Sequence, residues 1–231
     1  MYWSEDDTPD TRRVPDAATD ILFAIDCKRL PVDHAYALAS ALQSALPWIA
    51  ETPGLAVHSI HVAGSQNGWQ RPGHGTTSEL MVSRRTKLVI RSPSHLAADL
   101  MRELTGRRLA IDGHPLVVGQ AKLRPLSSET TLLARYLVAG EGDSAVDDEP
   151  GFLASAAEGL AALGIRIRKA LCGKAIALAT PRGAIQTRSL MLAGLTLDES
   201  LRLQQLGLGP HRLLGCGIFI PHKGIGAVRP D

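Results

Sequence analysis

Apolar and polar residues alternate along this chain in short blocks, and each block ends at a glycine, a proline or an acidic turn. The stretch Asp20-Ile21-Leu22-Phe23-Ala24-Ile25-Asp26-Cys27 reads as a first strand, rich in Ile and Phe and bounded by acids. Pro31 and Asp33 then introduce a helix to about Leu46, where Pro47 stops it. At helical spacing Ala35, Leu38, Ala39, Leu42, Ala45 and Leu46 form one apolar arc. Tyr36, Ser40, Gln43 and Ser44 lie opposite, and His34 falls at the arc's edge. Residues 57–62 alternate weakly and predict a second strand, and the polar, glycine-containing stretch 64–75 predicts a loop. Residues 86–91 predict a third strand and 93–105 a helix, and short strands at 109–111 and 116–118 flank an Asp112-Gly113 turn.

The order is strand, helix, strand, strand, helix, strand, which is that of a ferredoxin-like unit. Residues 121–130 read as a connection, after which the order recurs. A strand is expected at 132–139, a helix at 151–163, strands at 165–171 and 184–192, a helix at 197–206 and a last strand at 218–220. Thr196-Leu197-Asp198-Glu199 has the capping-box spacing that starts a helix, and Gly207 is placed to end it. The pattern therefore predicts an α+β fold of two tandem ferredoxin-like, RNA-recognition-type units. The first is expected over 20–122 and the second over 123–231, after a disordered acidic N-terminus at 1–19.

Composition narrows the function. The 231 residues are 45% hydrophobic and 21% charged, as in ordinary globular domains. No apolar run approaches the roughly 18 residues of a membrane span, and the acidic start does not read as a signal peptide. Cys27, Cys172 and Cys216 form no CxxC pair and sit in or beside apolar stretches, as reduced cysteines of a cytoplasmic protein would. The net charge of +2 hides an uneven distribution. Residues 1–20 and 141–149 together carry eleven of the 23 acids and two of the 25 Lys and Arg, so the rest of the chain has an excess of eleven positive charges. Charge alone leaves open whether that body attracts a polyanion or is ordinary solvated surface.

Four of the 22 glycines fall in Gly207-Leu208-Gly209-Pro210-His211-Arg212-Leu213-Leu214-Gly215-Cys216-Gly217, just before the last expected strand. Gly207 is explained as a helix cap, whereas Gly209, Gly215 and Gly217 are not. Such a loop can turn several N–H groups toward an anion, and His211 and Arg212 can add charged contacts. This glycine spacing resembles the C-terminal signature of the CRISPR-associated repeat-RNA endoribonucleases of the repeat-associated mysterious protein superfamily. Together with Leu30-Pro31-Val32-Asp33-His34-Ala35-Tyr36-Ala37-Leu38 and Gly113-His114-Pro115-Leu116-Val117-Val118-Gly119, it resembles the MYXAN-type branch in particular, across roughly residues 21–221.

The resemblance implies an endoribonuclease that cuts CRISPR precursor RNA within each repeat, leaves 5′-hydroxyl and 2′,3′-cyclic phosphate ends, and uses no metal or other cofactor. It also implies a catalytic histidine in or near the first helix, which carries over to His34. Tyr36 is a weaker partner, because helical spacing sets it well around from His34. Candidate RNA contacts are Arg84, Arg85 and Lys87 beside the third strand, Arg166, Arg168 and Lys169 on an expected strand, and Gly209, His211, Arg212, Gly215 and Gly217 in the loop. Arg84 and Arg85 could also steady the scissile phosphate. With only nine aromatic residues and no aromatic RNP run, recognition is expected to rest on phosphates and RNA shape. The expected partners are precursor and mature guide RNA, with other subunits of an effector complex beside them. A non-catalytic RNA-binding subunit is the alternative. No P-loop, dinucleotide-binding, HExxH, GxSxG or EF-hand pattern is present.

Overall fold

A computed structural model describes residues 17–62, 78–139 and 148–222. The loop at 64–75, most of the acidic N-terminus and nearly all of the acidic stretch 141–149 lie outside the described residues.

The first unit is built on β1 (Ala18–Asp26), whose Ile21, Phe23 and Ile25 point to one face and are buried. Helix α1 (Ala35–Ala45) covers that face with Ala35, Leu38, Ala39 and Leu42, one side of a 3.6-residue repeat. A 3-10 turn at Pro47–Glu51 leads to the two-residue β3 (Ala56–Val57), much shorter than the expected strand. After β5 (Lys87–Pro93), helix α2 (Ala97–Leu104) buries Ala97, Leu100 and Leu104 on the same face. The hairpin β6 (Arg108–Ile111) and β7 (His114–Arg124) turns at Asp112 and Gly113, both with positive φ, as a two-residue type I′ turn requires. The sheet order is β3-β5-β1-β7-β6, all antiparallel. Without the edge strand β6 this is the ferredoxin-like order.

The second unit repeats it. β8 (Leu132–Val138), β9 (Lys169–Leu178), β10 (Ile185–Ala193) and β11 (Phe219–Pro221) form a sheet of order β11-β8-β10-β9. Helix α3 (Glu149–Ala162) starts where the Asp148 carboxylate accepts from Gly151 N–H, and it buries Phe152, Ala156 and Leu160. Helix α4 (Leu197–Leu206) starts at the capping box of Thr196 and Glu199. Each fully buried Leu, Ile or Phe in these two cores contributes roughly 1.5–3 kcal/mol relative to exposure. The fold is thus α+β with two ferredoxin-like units in tandem.

Three further expectations about elements are corrected. The strand expected at 165–171 begins only at Lys169, because the Glu199 carboxylate of the α4 cap takes the N–H of Arg166 and the guanidinium of Arg168 and holds 165–168 as coil. The connection expected from 121 starts after Arg124, where β7 stops pairing with β1. A two-stranded ribbon of β2 (Arg29–Pro31) and β4 (Glu79–Met81), absent from the expected elements, stands beside the first sheet.

Candidate nucleic-acid interface

Between the units lies a cleft of about 1260 Å³. One wall is the outer face of α1, with Tyr36, Ser40 and Gln43. The second is the loop 209–214, and the third is the β9–β10 turn with Thr180, Pro181, Arg182 and Gly183. The turn closes on itself through reciprocal Thr180 and Gly183 backbone bonds. It is tied to the start of α1 by Ala179 N–H donating to the Asp33 carboxylate at 2.8 Å.

The glycine-rich loop is shaped by its own backbone. Leu208 N–H donates to Gly217 O (3.0 Å), which sets the two stems side by side, and Gly217 N–H donates to Tyr136 O of β8 (2.7 Å). Gly207 and Gly217 both have positive φ, and a Cβ on either would run into the opposite stem's backbone. Leu213 packs on the first unit's core and Leu208 on the second's, while Cys216 and Leu214 join a small cluster with Tyr136 and Leu178. Burial pushes the Cys216 thiol up to about 12. The loop is therefore a staple between the units, and only its tip meets the cleft.

This placement sorts the expected loop contacts. Gly209 and His211 are exposed and line the cleft. Gly215 and Gly217, expected beside RNA, are both buried and do not line the cleft, Gly215 facing the backbone of Val57 and Ser59. Arg212 borders the cleft, but its guanidinium turns back to the carbonyls of Gln205 and Leu206 at the end of α4 and to Gly54 O. Burial, then the charge of Arg91, lowers Arg212 to about 10, still a cation at neutral pH.

His211 adopts a left-handed conformation, φ 62°, uncommon for a residue with a side chain. Its carbonyl accepts from Leu214 N–H (2.9 Å) and Cys216 N–H (3.2 Å), which fixes that backbone. Tyr36, 42% exposed, stands on the α1 wall of the same cleft.

His34, the expected catalytic residue, is not among the residues that line the cleft. It is the residue before α1, only 1% exposed. Nδ1 lies 2.9 Å from Pro31 O, which can only accept, so Nδ1 carries the proton. Nε2 then accepts from Ile60 N–H at 3.0 Å. Both ring nitrogens are engaged in holding the entry of α1 against the segment after β3.

The remaining basic candidates lie outside the cleft lining. Arg84 and Arg85 are exposed in the turn between β4 and β5, with Lys87 opening β5. Arg166, Arg168 and Lys169 are exposed at the start of β9, with Arg168 paired to Glu199 at 2.6 Å. Hydrogen bonds from Thr196 N–H and then Arg168 lower Glu199 to about 2. Arg182 was not among the expected contacts, yet it is an exposed cation lining the cleft. Only the tight-turn residues around it hint at exposure. Among the described residues no three His, Cys, Asp or Glu side chains converge as a bound metal would need.

Two ferredoxin-like units in tandem define a class of α+β fold with solved members. One, a CRISPR-associated protein Cas6, superposes with a TM-score of 0.58 at 12% identity, covering 89% of this chain and all of that one. Another, described as an RAMP protein binding different RNA substrates, gives 0.55 at 14% identity, covering 89% of this chain and all of that one. In sequence, residues 19–224 match the Cas6 family, described as Cas6 Crispr. The CRISPR-associated endonuclease Cas6 of Myxococcus xanthus (strain DK1622) is 32% identical over 202 residues, spanning 87% of this chain and 80% of that protein. The chain belongs to the Cas6 family.

Proposed function

We propose that this protein is an endoribonuclease that cuts CRISPR precursor RNA within each repeat, with the scissile nucleotide seated in the cleft. The observation that carries this reading is the meeting of an exposed imidazole, a phenol and a cation (His211, Tyr36 and Arg182) in one cleft of a Cas6-family chain. At about 1260 Å³ the cleft exceeds the roughly 300–1,000 Å³ of small-molecule pockets and suits a run of nucleotides.

In the reaction the 2′-oxygen attacks the adjacent phosphorus as a base removes its proton, and the bond to the 5′-oxygen breaks as that oxygen gains one. The products are a 2′,3′-cyclic phosphate and a 5′-hydroxyl, and no water or electron is consumed. An imidazole can take or give a proton near neutral pH, which assigns that work to His211. The Tyr36 hydroxyl can donate to a phosphorane or leaving oxygen, and Arg182 offsets the charge that builds there. His34, given the proton-transfer role by the resemblance, acts in this reading as a brace for α1. Arg84, Arg85, Lys87, Arg166 and Lys169 grip phosphates of the flanking RNA. The mature guide RNA stays bound for delivery to an effector complex. The buried state of His34 favours one competitor, a subunit that binds repeat RNA without cutting it.

Cleavage of the repeat RNA in EDTA tests the reading, beside the same RNA with a 2′-deoxy cleavage nucleotide. Cutting in EDTA, abolished by the deoxy substitution while binding persists, is the expected result. Dependence on added metal overturns the metal-free chemistry, and binding without any cutting establishes the competitor.

A further inference from the structure

Arg91, on β5, is the bulkiest fully buried side chain among the described residues, 1% exposed, and the cleavage chemistry above does not use it. It lies opposite Asp20 of β1 in the sheet register. Its Nε and Nη2 donate to the two Asp20 carboxylate oxygens at 2.8 and 3.2 Å. Its Nη1 leaves the first unit altogether and donates to Gln204 O at 2.9 Å and Phe219 O at 2.8 Å. Gln204 precedes Gly207 by three residues and Phe219 follows Gly217 by two, so one guanidinium holds both stems of the glycine-rich loop.

The end of α4 explains why those bonds are available. The last helical backbone bond runs from Gly207 N–H to Leu203 O, and the carbonyls past it sit at the C-terminal end, where a helix takes partners from outside itself. Arg212 takes Gln205 and Leu206, and Arg91 takes Gln204. Two cations therefore meet the negative end of the helix dipole, one from the loop and one from the opposite unit. Charge neutralisation of Asp20 does not by itself require Arg91, because Arg124 Nη2 also donates to Asp20 at 2.9 Å and His58 stands 3.5 Å away. What only an arginine fork at this position supplies is the pair of bonds across to the two stems.

We propose that Arg91 is a positioning residue: it locks the stems of the loop to the first sheet and thereby holds the tip, Gly209 to His211, against α1 across the cleft. The consequence for catalysis rests on the reading of the cleft as the cleavage site; the consequence for the loop does not. Losing the lock lets the tip wander, which lowers the rate of the bound complex and leaves RNA affinity, set by phosphate contacts elsewhere, almost unchanged.

The test compares wild type with Arg91→Lys and with the double variant Asp20→Asn/Arg91→Met, which leaves no lone carboxylate buried. Amide hydrogen exchange is read at Leu208 and Gly217 in the stems and at Leu190 and Leu192 in β10, and single-turnover cleavage is read against RNA concentration. The double variant is expected to exchange at the stem amides roughly tenfold faster with β10 unchanged. Its plateau rate is expected to fall about tenfold or more at full amplitude, with half-saturation within about twofold, and Lys is expected to restore part of both. Unchanged stem exchange overturns the proposal, as does a rise shared equally by β10, which would mean general loosening. A plateau rate left at the wild-type value despite faster stem exchange overturns the positioning role. If wild type cuts no RNA, the cleavage-site reading fails, and stem exchange alone still decides whether Arg91 fixes the loop.

Discussion

The entry of α1 and the tip of the glycine-rich loop adjoin one cleft, and each carries a histidine, yet the two imidazoles are placed oppositely. His34 is buried with a carbonyl on one nitrogen and an N–H on the other. His211 is exposed on a backbone held in the left-handed region. A side chain beside a helix's apolar arc is drawn inward and its polar atoms must then be satisfied within the protein. A side chain on a constrained turn is free to meet a ligand.

Substitutions at the two positions separate these roles. His211→Ala is expected to slow single-turnover cleavage by about 10²–10⁴-fold, the usual worth of general acid/base help, with the melting temperature unchanged. His34→Ala removes two buried hydrogen bonds and opens a small cavity, so it is expected to cost about 2–4 kcal/mol in urea unfolding. Molecules of that variant that remain folded should cut at close to the wild-type rate. A stable His34→Ala protein that no longer cuts would reverse the comparison and return the chemistry to His34.

Smaller effects sharpen the contrast between cleft and periphery. Replacing both Arg84 and Arg85 with Ala is expected to reduce the slope of log affinity against log salt by about 0.7 per lost phosphate contact, with the rate at saturating RNA unchanged. The smallest effect concerns the junction under the loop. Burial alone would raise the Asp20 carboxyl, but His58 and the charge of Arg91 outweigh it and hold it well below the usual carboxylate range. A depressed folded value stabilises the protein above the unfolded value near 4 and loses that contribution as pH falls toward the folded one. The melting-temperature gap between wild type and Asp20→Asn is therefore expected to be widest above about pH 5 and to narrow below about pH 4.

Much of the architecture was legible because local signals agreed. The Thr196–Glu199 capping box, the Asp112-Gly113 turn and the Ile21, Phe23, Ile25 alternation each specify their element without distant help. Misreadings arose where a distant partner decides. Ile165 and Ile167 imitate a strand, but Glu199 claims the backbone and side chain between them. The β2–β4 ribbon joins Arg29 to Met81, a pairing that no local pattern announces. Among the loop residues, sequence spacing gave no means to tell Gly209, open to the cleft, from Gly215, pressed on Val57 and Ser59. His34 is engaged by Ile60, 26 residues away, and the turn that carries Arg182 is tied to the start of α1 by Asp33, 146 residues from Ala179.

The most direct measurement is the position of the scissile phosphate in a structure of the protein bound to repeat RNA with a 2′-deoxy cleavage nucleotide. That phosphate is expected inside the cleft, with the His211 imidazole and the Tyr36 hydroxyl within hydrogen-bond reach, about 3 Å, of the reacting oxygens. A scissile phosphate lying outside the cleft, against residues 84–87 or 166–169, would contradict that expectation.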